Sequence, residues 1–303
     1  MTPLPPFDFG FSSRFFAARS TLPVGPAQPD QNNRLTLYAF LDDSPHGITV
    51  RSTGQVEKPQ LEYSWSALRM KGRSQNGSRA AASAVAEFLT RVFSLELDLK
   101  PFYRTLSRDR PLKPLVAQLR GLKPVLTTSV FDAAVWAIVG QQISLPFART
   151  LKSRLAEKYG ATVSTPEGEI SLGPSAQRLA RSRTQSLKKL QLSEQKADYL
   201  LGLSRLIDSG RLDLNRVTGM PYDEAHARLM EIRGIGEWSA SYILLRGAGK
   251  LDALPLGDAG LRRAMASGYQ MEAPPGRDDI IRRAAPYRPY RSLYTLYLWQ
   301  GLA

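Results

Sequence analysis

The sequence predicts an α+β protein: a small antiparallel sheet with a helix over residues 1–110, then an all-α region over residues 111–303. Three observations predict it. Segments that read as extended (35–41, 47–52 and 60–65) all fall early in the chain. Beyond Pro111 apolar residues recur at helical rather than alternating spacing. Two helical runs, 222–231 and 237–246, are separated by the five residues 232–236, which hold Gly234-Ile235-Gly236, a turn with room for a sharp backbone bend.

Taken in order, residues 7–11 (Phe-Asp-Phe-Gly-Phe) are aromatic and begin the first folded unit, and residues 23–33, rich in Pro, Gln and Asn, read as a loop. A turn-rich connector, 42–47, joins the first two strands. Residues 79–93 form an amphipathic helix with Ala82, Val85, Ala86, Leu89, Val92 and Phe93 at helical spacing. Leu95 to Leu99 alternates cleanly and reads as a further strand. In the second region Thr127-Thr128-Ser129 offers capping hydroxyls before a helix at 131–139. Gly140-Gln141-Gln142-Ile143-Ser144 interrupts, and a helix over 145–159 ends at Gly160. Further helices are expected at 175–181, 184–190, 193–209, 222–231, 237–246, 258–266, 278–284 and 292–299, with Pro274-Pro275 and the prolines of 286–289 dividing the last group.

The 303 residues are 43% hydrophobic, ample for a sizeable core, and 41 Lys+Arg against 27 Asp+Glu give a net charge of +14. That excess favours a polyanionic partner, nucleic acid before an anionic membrane. With no cysteine, disulfides, zinc–thiolate sites and cysteine-ligated iron–sulfur clusters are excluded. With only His46 and His226, a histidine-rich metal site is not expected. No apolar run reaches membrane-spanning length and the N-terminus does not read as a signal peptide, so a soluble, cytoplasmic protein is expected.

Two features carry chemistry. Peptide N–H groups at the start of the helix after Gly236, uncovered by glycine, form an anion site suited to a phosphate. In Leu256-Gly257-Asp258-Ala259-Gly260-Leu261-Arg262-Arg263 one carboxylate stands beside glycines at another helix start. Taken singly, the first is equally a plain helix–helix turn and the second an N-cap.

In series they are more specific. Residues 232–240, Ile-Arg-Gly-Ile-Gly-Glu-Trp-Ser-Ala, resemble the hairpin of the helix-hairpin-helix DNA glycosylase superfamily, and Asp258 falls where that family keeps its catalytic aspartate. The resemblance is greatest to the 3-methyladenine DNA glycosylase II (AlkA-type) branch, is strongest from Phe131 to Trp299 and extends to the order of elements in residues 1–110. It implies a bacterial enzyme that flips and hydrolytically excises alkylated purines, with double-stranded DNA as partner and no catalytic cofactor; a monomer is expected. It implies a base pocket of Trp238, Tyr242 and Tyr290, with Phe9 and Phe11 closing it from the first domain. Gln142 falls where this branch usually has a leucine that plugs the vacated stack, and Tyr290 where it usually has a stacking tryptophan. Gly234, Ile235 and Gly236 are implied DNA contacts; the side chains of Arg262, Arg263, Arg178, Arg181, Lys188 and Lys189 are candidates for further phosphate contacts, each taken singly being equally readable as part of a solvated face. The carbonyls of Met230, Ile232 and Ile235 are implied ligands of a structural Na+ or K+. Trp238 stands where lyase-type members carry a Schiff-base lysine, which implies no strand cleavage. Two alternatives remain open at this point: a glycosylase for a deaminated or oxidised base, and a non-catalytic lesion-binding protein.

Overall fold

The structure, a computed structural model, describes residues 1–19, 34–41, 43–72 and 80–302; the 23–33 loop and the first residue of the 79–93 helix lie outside these. The chain begins with α1 (Phe9–Arg19), a three-stranded meander β1 (Arg34–Leu41), β2 (Ser44–Ser52) and β3 (Leu61–Ala67), and the short β4 (Arg69–Met70). Helices α2 (Ala82–Val92), α3 (Lys100–Leu106) and α4 (Pro114–Gln118) follow, then α5 (Val130–Val139) and α6 (Leu145–Tyr159). A hairpin of β5 (Gly160–Thr165) and β6 (Gly168–Pro174) leads to α7 (Ala176–Ala180), α8 (Thr184–Lys188) and α9 (Glu194–Asp208). After a 3-10 turn (Leu214–Thr218) come α10 (Tyr222–Met230), α11 (Glu237–Arg246), α12 (Ala259–Gly268), α13 (Arg277–Ala284) and α14 (Arg291–Gly301).

Local sequence explains the helix starts. Ser129 Oγ accepts the Asp132 N–H at 3.1 Å at the head of α5, and Ser193 Oγ accepts the Lys196 N–H at 3.3 Å at the head of α9. The meander keeps its apolar register, with Leu37 opposite Ile48 and Ile48 opposite Trp65. Leu41 pairs with Ser44, so strand pairing runs into the expected 42–47 connector, of which Asp42 lies outside the described residues and Asp43 has φ +58°.

Three expectations are corrected. Residues 95–99 are not a strand. Leu95 and Leu99 are buried, so the alternation is real, but the Leu95 carbonyl accepts from the Leu4 N–H and from Lys123 Nζ rather than from a sheet neighbour. The region 111–303 is not all α: β5 and β6 lie within it, and β5 pairs with β4, placing Val163 opposite Met70. The division at residue 110 does not separate the cores either. One core joins α1, the meander and α2–α4 to Leu254, Leu261, Met265, Ile280, Tyr287 and residues 293–298. The other is built from residues 130–253 and takes in Trp299. The chain leaves the first core, builds the second, and returns.

The returning helix α14 is buried from Arg291 to Trp299. Its hydroxyls find partners: Tyr297 contacts the Leu119 and Leu122 carbonyls (3.1 and 3.0 Å) and lies 2.8 Å from the Tyr103 hydroxyl. Apolar burial of large side chains contributes about 1.5–3 kcal/mol each. The satisfied hydroxyls let those residues contribute it without an unmet polar group.

Candidate active site

The hairpin between α10 and α11 is fixed by its first glycine. Gly234 has φ +93°, and a Cβ there would lie 2.2 Å from the Tyr199 ring of α9, so no other residue fits. Gly236 is different: its backbone is extended, it is exposed, and a Cβ would meet nothing within 4 Å. It leaves the N-terminal N–H groups of α11 uncovered toward solvent. The Ile232 carbonyl accepts the Ile235 N–H at 2.9 Å, closing the turn, while Met230 stays exposed.

The loop between α5 and α6 is fastened to this hairpin. Gln141 Nε2 donates to the Gly234 carbonyl (2.9 Å) and to Ser239 Oγ (3.2 Å), and Lys196 Nζ donates to the Val139 carbonyl (2.7 Å). Between these anchors Gln142 is exposed with φ +55°.

Asp258 caps α12: its Oδ1 accepts the Leu261 N–H at 2.7 Å. The N-cap alternative is therefore true, but it is not the whole role. Trp299 Nε1 donates to Oδ1 and Trp238 Nε1 donates to Oδ2, each at 3.0 Å. Trp238 belongs to the second core's hairpin helix, so the carboxylate stands where the two cores meet. Gly260 keeps the approach open; a Cβ there would be 3.1 Å from Asp258 Oδ1 and 3.5 Å from Trp299 Nε1. Trp238 stacks on Tyr242, with centroids 5.4 Å apart and planes at 26°.

The loop carrying Asp258 is seated by the start of α14. Arg291 grips Asp252 through Nε and Nη2 (2.7 and 2.8 Å), and Ser292 Oγ accepts the Ala253 N–H at 2.9 Å. The other nearby carboxylate, Asp252, is thereby spent on architecture. A second link joins the lobes: Arg277 of α13 binds both oxygens of Glu237 at 2.6 and 2.7 Å. The Arg277 hydrogen bonds hold the Glu237 carboxyl below its ordinary range.

The remaining predicted residues are distributed as follows. Tyr290 is half-buried against the first core at the N-cap of α14, about 13 Å by helical rise from Trp299 at the other end. Phe9 is 3% exposed inside the first core, 5.8 Å from Phe93, and is packing rather than pocket wall in this structure. Phe11 is half-buried on α1 with Arg14 over its ring. Arg262 donates Nε to the Pro275 carbonyl at 3.0 Å, and Arg263 is exposed. Arg178 is bonded to the Gly160 carbonyl and Lys188 to Glu194, so both are engaged locally. His46 is buried as an acceptor for the Ala80 N–H at 2.9 Å, and His226 lies between Tyr222, Ser241 and the Glu237 carbonyl. Among the described residues no group of three or more His, Cys, Asp or Glu side chains could hold a metal, and no helix is long and apolar enough to cross a membrane.

Trp299 is the site residue that sequence reading missed. One signal was present: an indole N–H in a helix rich in large aromatic and aliphatic side chains needs an acceptor once that helix is buried.

A family model described as HhH-GPD superfamily base excision DNA repair protein matches residues 135–289. The chain belongs to that superfamily. The matched span holds the 140–144 loop, the hairpin and Asp258, and stops before Tyr290 and Trp299. The DNA-3-methyladenine glycosylase of Bacillus subtilis (strain 168) is 31% identical over 218 residues, 72% of each chain. DNA-3-methyladenine glycosylase 2 of Escherichia coli (strain K12) is 26% identical over 295 residues, 97% of this chain and 94% of that one. The solved 3-methyladenine DNA-glycosylase from Archaeoglobus fulgidus shares the fold with a TM-score of 0.79 at 20% identity, covering 99% of this chain and 96% of that one.

Proposed function

We propose that this HhH-GPD protein is a monofunctional DNA glycosylase that everts alkylated purines from duplex DNA and hydrolyses their glycosidic bond. The observation that carries the reading is the Asp258 carboxylate, held by three N–H donors where the lobes meet and flanked by stacked aromatic rings. Relatives named for 3-methyladenine excision support the substrate class.

The chemistry follows from the charges. N-alkylation makes the purine cationic. As its bond to C1′ breaks, the bonding pair goes to the base, which leaves neutral, and the sugar takes oxocarbenium character. A fixed carboxylate stabilises that charge electrostatically. A water oxygen then adds to C1′ and its proton departs, to Asp258 or to solvent. A carboxylate oxygen offers about two acceptor directions. Oδ1 uses both, on Leu261 and Trp299; Oδ2 uses one, on Trp238, and keeps one for the sugar or the water. Trp238, half-buried, presents an electron-rich ring to a cationic base, an attraction of up to about 2 kcal/mol when desolvated, and Tyr242, buried in the second core, backs it by stacking.

Trp238 has no amine, so no Schiff base forms there and the abasic product stays uncut. Borohydride trapping on an abasic duplex is expected to give no adduct. The turn carbonyls of Met230, Ile232 and Ile235 are hard oxygen donors without a carboxylate, which suits Na+ or K+ rather than a divalent ion; a bound ion would add positive charge beside the phosphate held by the α11 N–H groups. The test is base release from duplexes bearing 3-methyladenine, 7-methylguanine, hypoxanthine or an oxidised base. Release confined to the alkylated purines supports the reading; release confined to the others replaces it.

A further inference from the structure

Gln142 is polar where an apolar plug is useful, yet the first turn of α6, directly after this loop, carries exposed apolar side chains. Among the described residues the exposed large apolar side chains are Leu4, Phe40, Leu145, Phe147, Met230 and Ile281. Single exposed apolar residues are ordinary. Here three of the six, Leu145, Phe147 and Met230, border the 140–144 loop and the hairpin. Leu145 is 51% exposed and Phe147 39%.

Their setting is rigid. Leu145 is the first residue of α6, with Pro146 next and the Ala148 N–H donating to the Ser144 carbonyl at 3.0 Å. Just upstream, Gln141 ties the loop to the Gly234 carbonyl. An apolar tip is thus held in fixed relation to the N–H groups that face a phosphate. One helical turn further along α6 stands the exposed Arg149. An apolar side chain with a guanidinium one turn behind it matches a base step flanked by phosphates.

We propose that Leu145, flanked by Phe147, is an apolar wedge that enters the minor groove of duplex DNA at the step vacated by the everted base. The proposal rests on the glycosylase reading. Gln142 and Leu145 then fill the gap together, the amide meeting polar base edges while the leucine excludes water from the opened stack. Apolar wedges of this kind hold a duplex kinked, and the cost of unstacking is offset by contact with the bent form.

The test uses the full chain and two duplexes, one intact and one carrying a tetrahydrofuran abasic-site analogue with 2-aminopurine beside it. Leu145→Ser is expected to weaken binding to the abasic duplex about tenfold and lower the 2-aminopurine signal, with intact-duplex affinity changed less than twofold and Tm preserved. Phe147→Ser is expected to show a smaller loss of the same kind. Phe40→Ser, on the meander, is expected to match wild type. Wild-type abasic affinity and fluorescence in Leu145→Ser would overturn the wedge. So would a concentration-dependent dimer abolished by Leu145→Ser with DNA binding intact, which would make the patch a contact between copies. Failure of the glycosylase reading is read separately: wild type that prefers the abasic duplex through Leu145 but releases no base would sink the enzyme assignment and leave the wedge standing.

Discussion

The Trp238 indole N–H donates to Asp258 Oδ2 over 3.0 Å, joining a helix of one core to a loop of the other. Trp299 matches this on Oδ1 from a helix of the first core that ends in the second. The candidate catalytic group is therefore oriented by both lobes, and its position reports on how they are docked.

Removing one donor tests that orientation. Trp299→Phe deletes the N–H and also three ring atoms at a buried position. A hydrogen bond to a charged group contributes about 1.5–3 kcal/mol and the cavity adds to that, so unfolding free energy is expected to fall by at least about 1.5 kcal/mol. Base release at saturation is expected to drop several-fold, with KM little changed. A rise in KM alone would mean that Trp299 acts on substrate binding instead.

The two hairpin glycines separate folding from DNA grip. Gly234→Ala forces a Cβ into the Tyr199 ring and an alanine to φ +93°, so a destabilisation above about 2 kcal/mol is expected in urea melts. Gly236→Ala has an extended backbone and open space. It is expected to melt like wild type and to bind duplex more weakly, since the methyl stands where a phosphate approaches. If the two variants behaved alike, the hairpin's assigned geometry would be wrong.

Lys123 makes a pH prediction. Its ammonium is buried in the first core, donating to the Leu4 and Leu95 carbonyls, and burial lowers its pKa from 10.5 to about 8, with Asp98 opposing. Between about pH 8 and 10.5 the unfolded chain binds more protons than the folded one at this residue, so its contribution to stability rises with pH across that window and is flat below it. The unfolding free energy of wild type minus that of Lys123→Met, measured from about pH 7 to about 10.5, isolates this from the general relief of positive charge. An invariant difference would contradict the burial effect.

The parts legible in the sequence were those set by local rules. The glycine turn, the Ser129 cap and Asp258 at a helix start depend on a few adjacent residues. Trp238 and Tyr242 share a face because they are four apart. What was not legible depends on distant pairing. Trp299 meets Asp258 from 41 residues away. The hairpin of β5 and β6 is extended by a partner near residue 70. Leu95 to Leu99 shows strand-like burial without a strand, because alternation reports which side chains are inside and not what the carbonyls bond. The boundary at residue 110 failed because α12–α14 return to the first core, a fact of topology that composition does not carry.

The most direct measurement is single-turnover release of 3-methyladenine and 7-methylguanine from methylated duplex DNA by wild type and Asp258→Asn, with duplex affinity measured in parallel. The asparagine offers one oxygen to three N–H donors and no negative charge. Release by the variant is expected to fall by about 10²–10³-fold, with DNA affinity within a few-fold of wild type. Full release by Asp258→Asn would contradict the assignment of the chemistry to this carboxylate.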